Sequence, residues 1–118
     1  MKRFPTMILI AALSGAATFA NAGTSDRESI EVAFDRNKGK IYAEYVRSLK
    51  TNPKLHGKIV LQIDIAASGA VTNCGVKSSE LHDPDLEGRI CARVRQIQFG
   101  PRESAISIQK PIDFFPAA

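Results

Sequence analysis

The chain has 118 residues, with 16 lysines and arginines against 12 aspartates and glutamates, a formal charge of +4, two cysteines and two histidines. That length sustains one small hydrophobic core and not two. The basic excess is slight and no basic patch is interleaved with aromatics, which argues against a nucleic-acid partner, and two thiols with two scattered histidines are too few for a zinc site.

Met1, Lys2 and Arg3 precede an apolar run from Phe4 to Ala20, and Ala20-Asn21-Ala22 follows. A charged start, an apolar middle and a small-residue end are the order of a secretory signal peptide, here expected to be cut after Ala22. The rival reading is a retained membrane anchor. With Pro5, Ser14, Gly15 and Thr18 inside it, the run is short and weakly hydrophobic for a bilayer core of about 30 Å, so cleavage is the better fit. No cysteine stands near the cut, so a lipoprotein is not expected. Removing 22 residues leaves 96, and losing Lys2 and Arg3 leaves 14 basic residues against 12 acidic ones, a mature charge of +2. The expected organisation is a signal peptide over 1–22 and a single periplasmic domain over 23–118.

Gly23 to Ser25 reads as a short polar leader. From Asp26 to Leu49 the apolar residues Ile30, Phe34, Ile41, Tyr45 and Leu49 recur every four or seven positions, which predicts an amphipathic helix. Asn37-Lys38-Gly39 interrupts the pattern and predicts a bend at Gly39. Pro53 closes the segment, because the residue before a proline resists the helical region. Ile59, Leu61, Ile63 and Ile65 then alternate, giving a strand with one aliphatic face. Ala66 to Gly69 supplies a turn in which Gly69 takes positive φ, and a second strand carries Val71, Cys74 and Val76.

Asp83 followed by Pro84 has the form of a helix N-cap with proline in the first turn, where Asp85 and Glu87 are well placed against the helix dipole. The predicted second helix runs from about Pro84 to Ile97, with Leu86, Ile90, Val94 and Ile97 as its stripe, and Gly100-Pro101 stops it. Arg89, Arg93 and Arg95 are expected on its solvated side. Ala105 to Phe115 alternates again through Ile106, Ile108, Ile112 and Phe114. The predicted fold is therefore α+β, a two-layer sandwich in the order α-β-β-α-β. A strand, helix, strand passage is easiest if the second and third strands lie parallel on either side of the first.

The set Phe34-Asp35-Arg36-Asn37-Lys38-Gly39 leading to Tyr42 and Tyr45, Asn52-Pro53 with Leu55 and Gly57-Lys58, Ser68-Gly69-x-Val71, Ser78-Ser79-x-Leu81 and Phe99-Gly100 resembles the TonB C-terminal-domain superfamily in its AgmX/PglI C-terminal variety. The resemblance spans nearly the whole mature chain. It implies a periplasmic domain that contacts other envelope proteins and accepts an extended peptide beside its last strand. The chain departs from TonB in lacking a proline-rich spacer and a convincing anchor, so energy transduction by this polypeptide alone is not expected.

Candidate chemistry is sparse. Cys74 and Cys91 are expected to close a structural disulfide, with a buried reduced pair as the alternative; they form no C-x-x-C motif and no neighbour activates either thiol. His56 and His82 fall in loops. Ser78 and Ser79 lack a nucleophile elbow and a base, and are expected to satisfy backbone groups where the strand ends. Asp64 points to the outer strand face, and Tyr42 and Tyr45 are expected at the helix boundary and core. No catalytic residue, metal or cofactor is expected. Pro111 has no N–H to give, so the last strand is predicted to be an open edge whose outward backbone groups at Ala105, Ser107 and Gln109 receive an envelope protein partner. The alternatives are a component of a TonB-type transport system and a small envelope redox factor.

Overall fold

The computed structural model describes the backbone of residues 4–116 and the side chains of residues 27–116. It is an α+β fold in the order α1 (Phe4–Leu49), β1 (Gly57–Ile65), β2 (Val71–Ser79), α2 (Pro84–Val94) and β3 (Ile106–Phe114). The strands form one sheet in the order β2-β1-β3, with both outer strands antiparallel to β1. β2 and β3 are thus parallel to each other across the central strand, as the crossover through α2 requires. The signal-peptide reading over 1–22 falls where side chains lie outside the described residues.

α1 differs from expectation at both weak points of its sequence. It begins far upstream of Asp26 and passes through Asn37-Lys38-Gly39 as unbroken helix. Alanine-rich sequence carries the highest helix propensity, and one glycine costs only about 1 kcal/mol, less than the packing on either side returns. Asn37 adapts by donating its side-chain amide to the Ala33 carbonyl one turn back, at 2.8 Å. Ile30, Ala33, Phe34, Ile41 and Tyr45 are buried against the sheet, in the spacing the sequence displays.

Ile59, Leu61, Ile63 and Ile65 are almost wholly excluded from solvent and form the floor of the core, over which α1 and α2 close. β3 follows β1 in unbroken register from Gly57–Phe114 to Ile65–Ile106. β2 does not. Its pairing jumps from Asp64–Asn73 to Ile65–Val71 and from Val60–Ser78 to Leu61–Val76, leaving Thr72 and Lys77 as bulged residues. The bulge at Thr72 explains how Val71 and Cys74, three positions apart, both turn toward the core. Val76, expected to share the buried face of Cys74, is 38% exposed, although it pairs with the fully buried Leu61.

α2 opens as its sequence indicates. The Asp83 carboxylate accepts the Leu86 N–H at 3.1 Å, and Glu87 returns the favour to the Asp83 N–H at 3.3 Å. Its end falls three residues short of Ile97. Gln96 and Ile97 donate back to Arg93 and Val94 in tighter i→i+3 bonds, and the chain then leaves the helix so that Gln98 can bridge Ala70 and the Phe99 N–H can reach the Gly69 carbonyl at 2.9 Å. Ile97 and Phe99 remain buried.

Candidate functional site

Among the described residues the outer edge of β3 is a run of unpaired backbone, and its direction can be read from β1. Lys58 turns its backbone groups to β2, receiving the Glu80 N–H on its carbonyl at 2.9 Å and giving its own N–H to the Glu80 carboxylate at 2.7 Å. Backbone groups alternate along a strand, so Val60 also faces β2, and Pro111, paired opposite Val60, has its missing N–H on the outer side. Ser107 and Gln109 share that direction. Ala105 lies one residue before β3 and is exposed. The side chains of Ser107, Gln109, Pro111 and Asp113 line the outer sheet face, and Ser107 donates its hydroxyl to Asp64 at 2.6 Å. That bond employs Asp64 as the partner of a facing strand residue.

Beside the far half of this edge lies a groove of about 630 Å³, walled on one side by Phe34, Asp35, Lys38, Gly39, Ile41 and Tyr42 of α1 and on the other by Lys110–Phe114 of β3. Aromatic rings build its end. Tyr42 stacks on Phe114 at 6.0 Å and donates its hydroxyl to the Phe115 carbonyl at 2.7 Å, while Tyr45 packs on Phe114 at 4.8 Å. Tyr45 is fully buried and bonds the Leu55 carbonyl; burial, and secondly the neighbouring Tyr42, hold its phenol above the ordinary tyrosine range, so it stays a donor. Lys110 sits on the core side of β3, half-buried, with its ammonium 5.0 Å from the Phe34 ring centroid and 3.5 Å from Glu31. An alternation rule that counts only apolar residues passes over Lys110; its i, i+2 phase with Ile108 and Ile112 was the available signal.

Of the three arginines expected on the solvated side of the second helix, Arg95, just past its end, is exposed, whereas Arg89 and Arg93 are only partly so and turn toward α1. Glu44, buried on α1, accepts from Arg93 Nε at 2.8 Å and lies 3.4 Å from Arg89 Nε and 3.9 Å from Arg47. Arg89 also reaches Asp85 and the Ser48 hydroxyl, and Arg95 donates to the Cys74 carbonyl at 3.0 Å. The hydrogen bond from Arg93 and the positive field of the three arginines outweigh burial and hold the Glu44 carboxyl below the usual glutamate value. This cluster locks α1 to α2.

Cys74 and Cys91 form a disulfide that ties β2 to α2, with Cα atoms 5.6 Å apart. His56 and His82 are exposed in loops, and His56 Nδ1 meets the Lys54 carbonyl at 2.8 Å. Ser79 caps the end of β2 by accepting the Leu81 N–H at 3.1 Å. Among the described residues no cluster of histidine, cysteine or carboxylate side chains has the makings of a metal site.

The architecture defines a three-stranded α+β sandwich with one regular open edge flanked by a groove. No family model, curated protein or solved structure matches the chain.

Proposed function

We propose that the mature domain is a non-catalytic periplasmic interaction module that binds an extended segment of an envelope protein by strand addition along β3. The observation that carries this reading is the asymmetry between the two sheet edges. β2 is interrupted by bulges at Thr72 and Lys77, the usual means of blunting an edge against pairing, whereas β3 runs nine residues in perfect register, with its outward backbone groups at Ser107 and Gln109 unpaired among the described residues. Strand addition needs only those donors and acceptors. The secretory-type leader supports an envelope address, and the resemblance to TonB C-terminal domains supports the mode of binding. No cofactor is invoked.

Amide-shift mapping with extended peptides from envelope partners tests the proposal. The expected shifts centre on Ala105 to Gln109, and Ser107→Pro, which removes one outward donor without touching the β1 ladder, abolishes binding while the domain stays folded. Shifts confined to α1 or to Arg89–Arg95, with β3 silent, overturn it.

A further inference from the structure

The charges of α1 are segregated along its length. Its exposed acids among the described residues, Glu28, Glu31 and Asp35, all precede Arg36; Glu31 is tied to Lys110, and Asp35 lines the groove beside Lys38. From Arg36 to the end of the helix the one acid is Glu44, which is buried and engaged by Arg89 and Arg93, while Asp85 on α2 is engaged by Arg89. Arg36, Lys40 and Arg47, four and seven residues apart, therefore form an exposed row beside the α1–α2 seam, with Lys50 just past the helix end. The side chains of Arg36, Lys40 and Lys50 make no ion pair or hydrogen bond among the described residues. The helix dipole accounts for cations in the last turn, at Arg47 and Lys50, but does not reach Arg36 and Lys40.

Next to this row the helix turns apolar residues to solvent. Val32, Gly39, Ala43 and Val46 stand seven, four and three residues apart, so they fall along one line on the side of α1 away from the sheet. All four are exposed, Val32 by 47% and Val46 by 44%. Tyr42 flanks the line and Lys38 lies beyond it, so cations stand on both sides of an apolar crest. Glycine and alanine keep the crest low, which lets the helix backbone come close to whatever it lies on. A convex face, apolar along its middle and basic at its sides, matches a helix lying in the plane of a bilayer, with its valines at the acyl boundary and its cations among the phosphates. We propose that this face of α1 rests on a membrane rich in anionic phospholipid. An acidic protein segment would use the cations and leave the valines exposed. The inference stands apart from the β3 edge reading, because the crest belongs to the helix layer and the sheet's outer face turns the other way.

The probe is a pair of sucrose-loaded vesicles, one of phosphatidylcholine alone and one of equal parts phosphatidylcholine and phosphatidylglycerol. They are sedimented with the mature chain, 23–118, which keeps every core residue described above. Binding is expected to the anionic vesicles and not to the neutral ones. It is expected to weaken more than tenfold as salt rises from about 0.1 M to about 1 M, where the screening length falls from about 10 Å to about 3 Å. Arg36→Gln/Lys40→Gln is expected to weaken it about twentyfold, since each cation near an anionic leaflet contributes about fivefold. Val32→Ser/Val46→Ser is expected to weaken it about tenfold. These four side chains are exposed, so the melting temperature should stay that of the wild type. Lys58→Gln/Lys77→Gln makes the same change of charge on the sheet and is expected to bind as the wild type. No preference for anionic vesicles, or equal losses from the helix and sheet pairs, overturns the proposal. A loss from Arg36→Gln/Lys40→Gln with none from Val32→Ser/Val46→Ser overturns it in favour of an acidic protein segment. Dimers seen by sedimentation velocity without lipid, and dissolved by Val32→Ser/Val46→Ser, would assign the crest to a second copy and overturn it likewise.

Discussion

Gly69 and Gly100 meet main chain to main chain. A Cβ on Gly69 would lie 2.4–2.6 Å from the Gly100 backbone, and Gly69 itself holds φ +93°. The contact clamps the β1–β2 turn onto the segment joining α2 to β3, where the Phe99 and Arg102 N–H groups bond the Gly69 and Ala67 carbonyls. Gly69→Ala is therefore expected to destabilise by about 2–4 kcal/mol, since rigid backbone must move as well as an unfavourable φ be held. Gly100→Ala provides the control. Its φ is +83° but its Cβ would meet nothing within 4 Å, so only the conformational cost of about 1–2 kcal/mol applies. Urea unfolding of the two variants checks the ordering; equal losses would show that close approach contributes nothing.

Glu44 gives the stability of the domain an acid limb. Its carboxyl titrates below the ordinary value of 4.5 in the folded state, because Arg93 and its neighbours favour the ionised form. The folded protein thus binds this proton less readily than the unfolded chain. Its contribution is full above pH 4.5 and is lost as pH falls through the lower folded value. Glu44→Gln is expected to cost about 1–2 kcal/mol at neutral pH, discounted because Arg93 is partly exposed, and progressively less in acid. Chemical unfolding of both proteins across the acid range should show the two curves converging; a constant gap would assign the loss to packing.

The disulfide between Cys74 and Cys91 closes a loop of sequence separation 17. In the chain-entropy description that is worth about 3 kcal/mol, or roughly 10–20 °C in melting temperature for a domain of this size. Reduction, or the Cys74→Ala/Cys91→Ala pair of changes, is expected to produce that loss in a thermal melt. β3 should remain protected in amide exchange of the reduced form, because the bridge ties β2 and α2 and does not touch β3.

Much of this architecture is legible in the chain itself. The four alternate aliphatics of β1, the four- and seven-residue spacing of α1, and Asp83-Pro84 at the head of α2 are local signals. Their periods and caps coincide with the burial and hydrogen bonds observed, since a strand or helix turns its residues by fixed steps whatever it packs against. Pro111 belongs with them, because a missing donor restricts a strand to an open edge in any context. Tertiary structure alone decided what depends on partners distant in sequence. Arg89 and Arg93 are polar wherever they stand; only the arrival of Glu44 from a helix more than forty residues away turns them into an interhelical lock. The bulges at Thr72 and Lys77 are set by the neighbouring strand's register, and the early end of α2 by the pull of Gly69 on Phe99. The groove exists because α1 crosses beside β3 at Gly39. A concavity is a relation between two surfaces, and neither surface carries it in its own sequence.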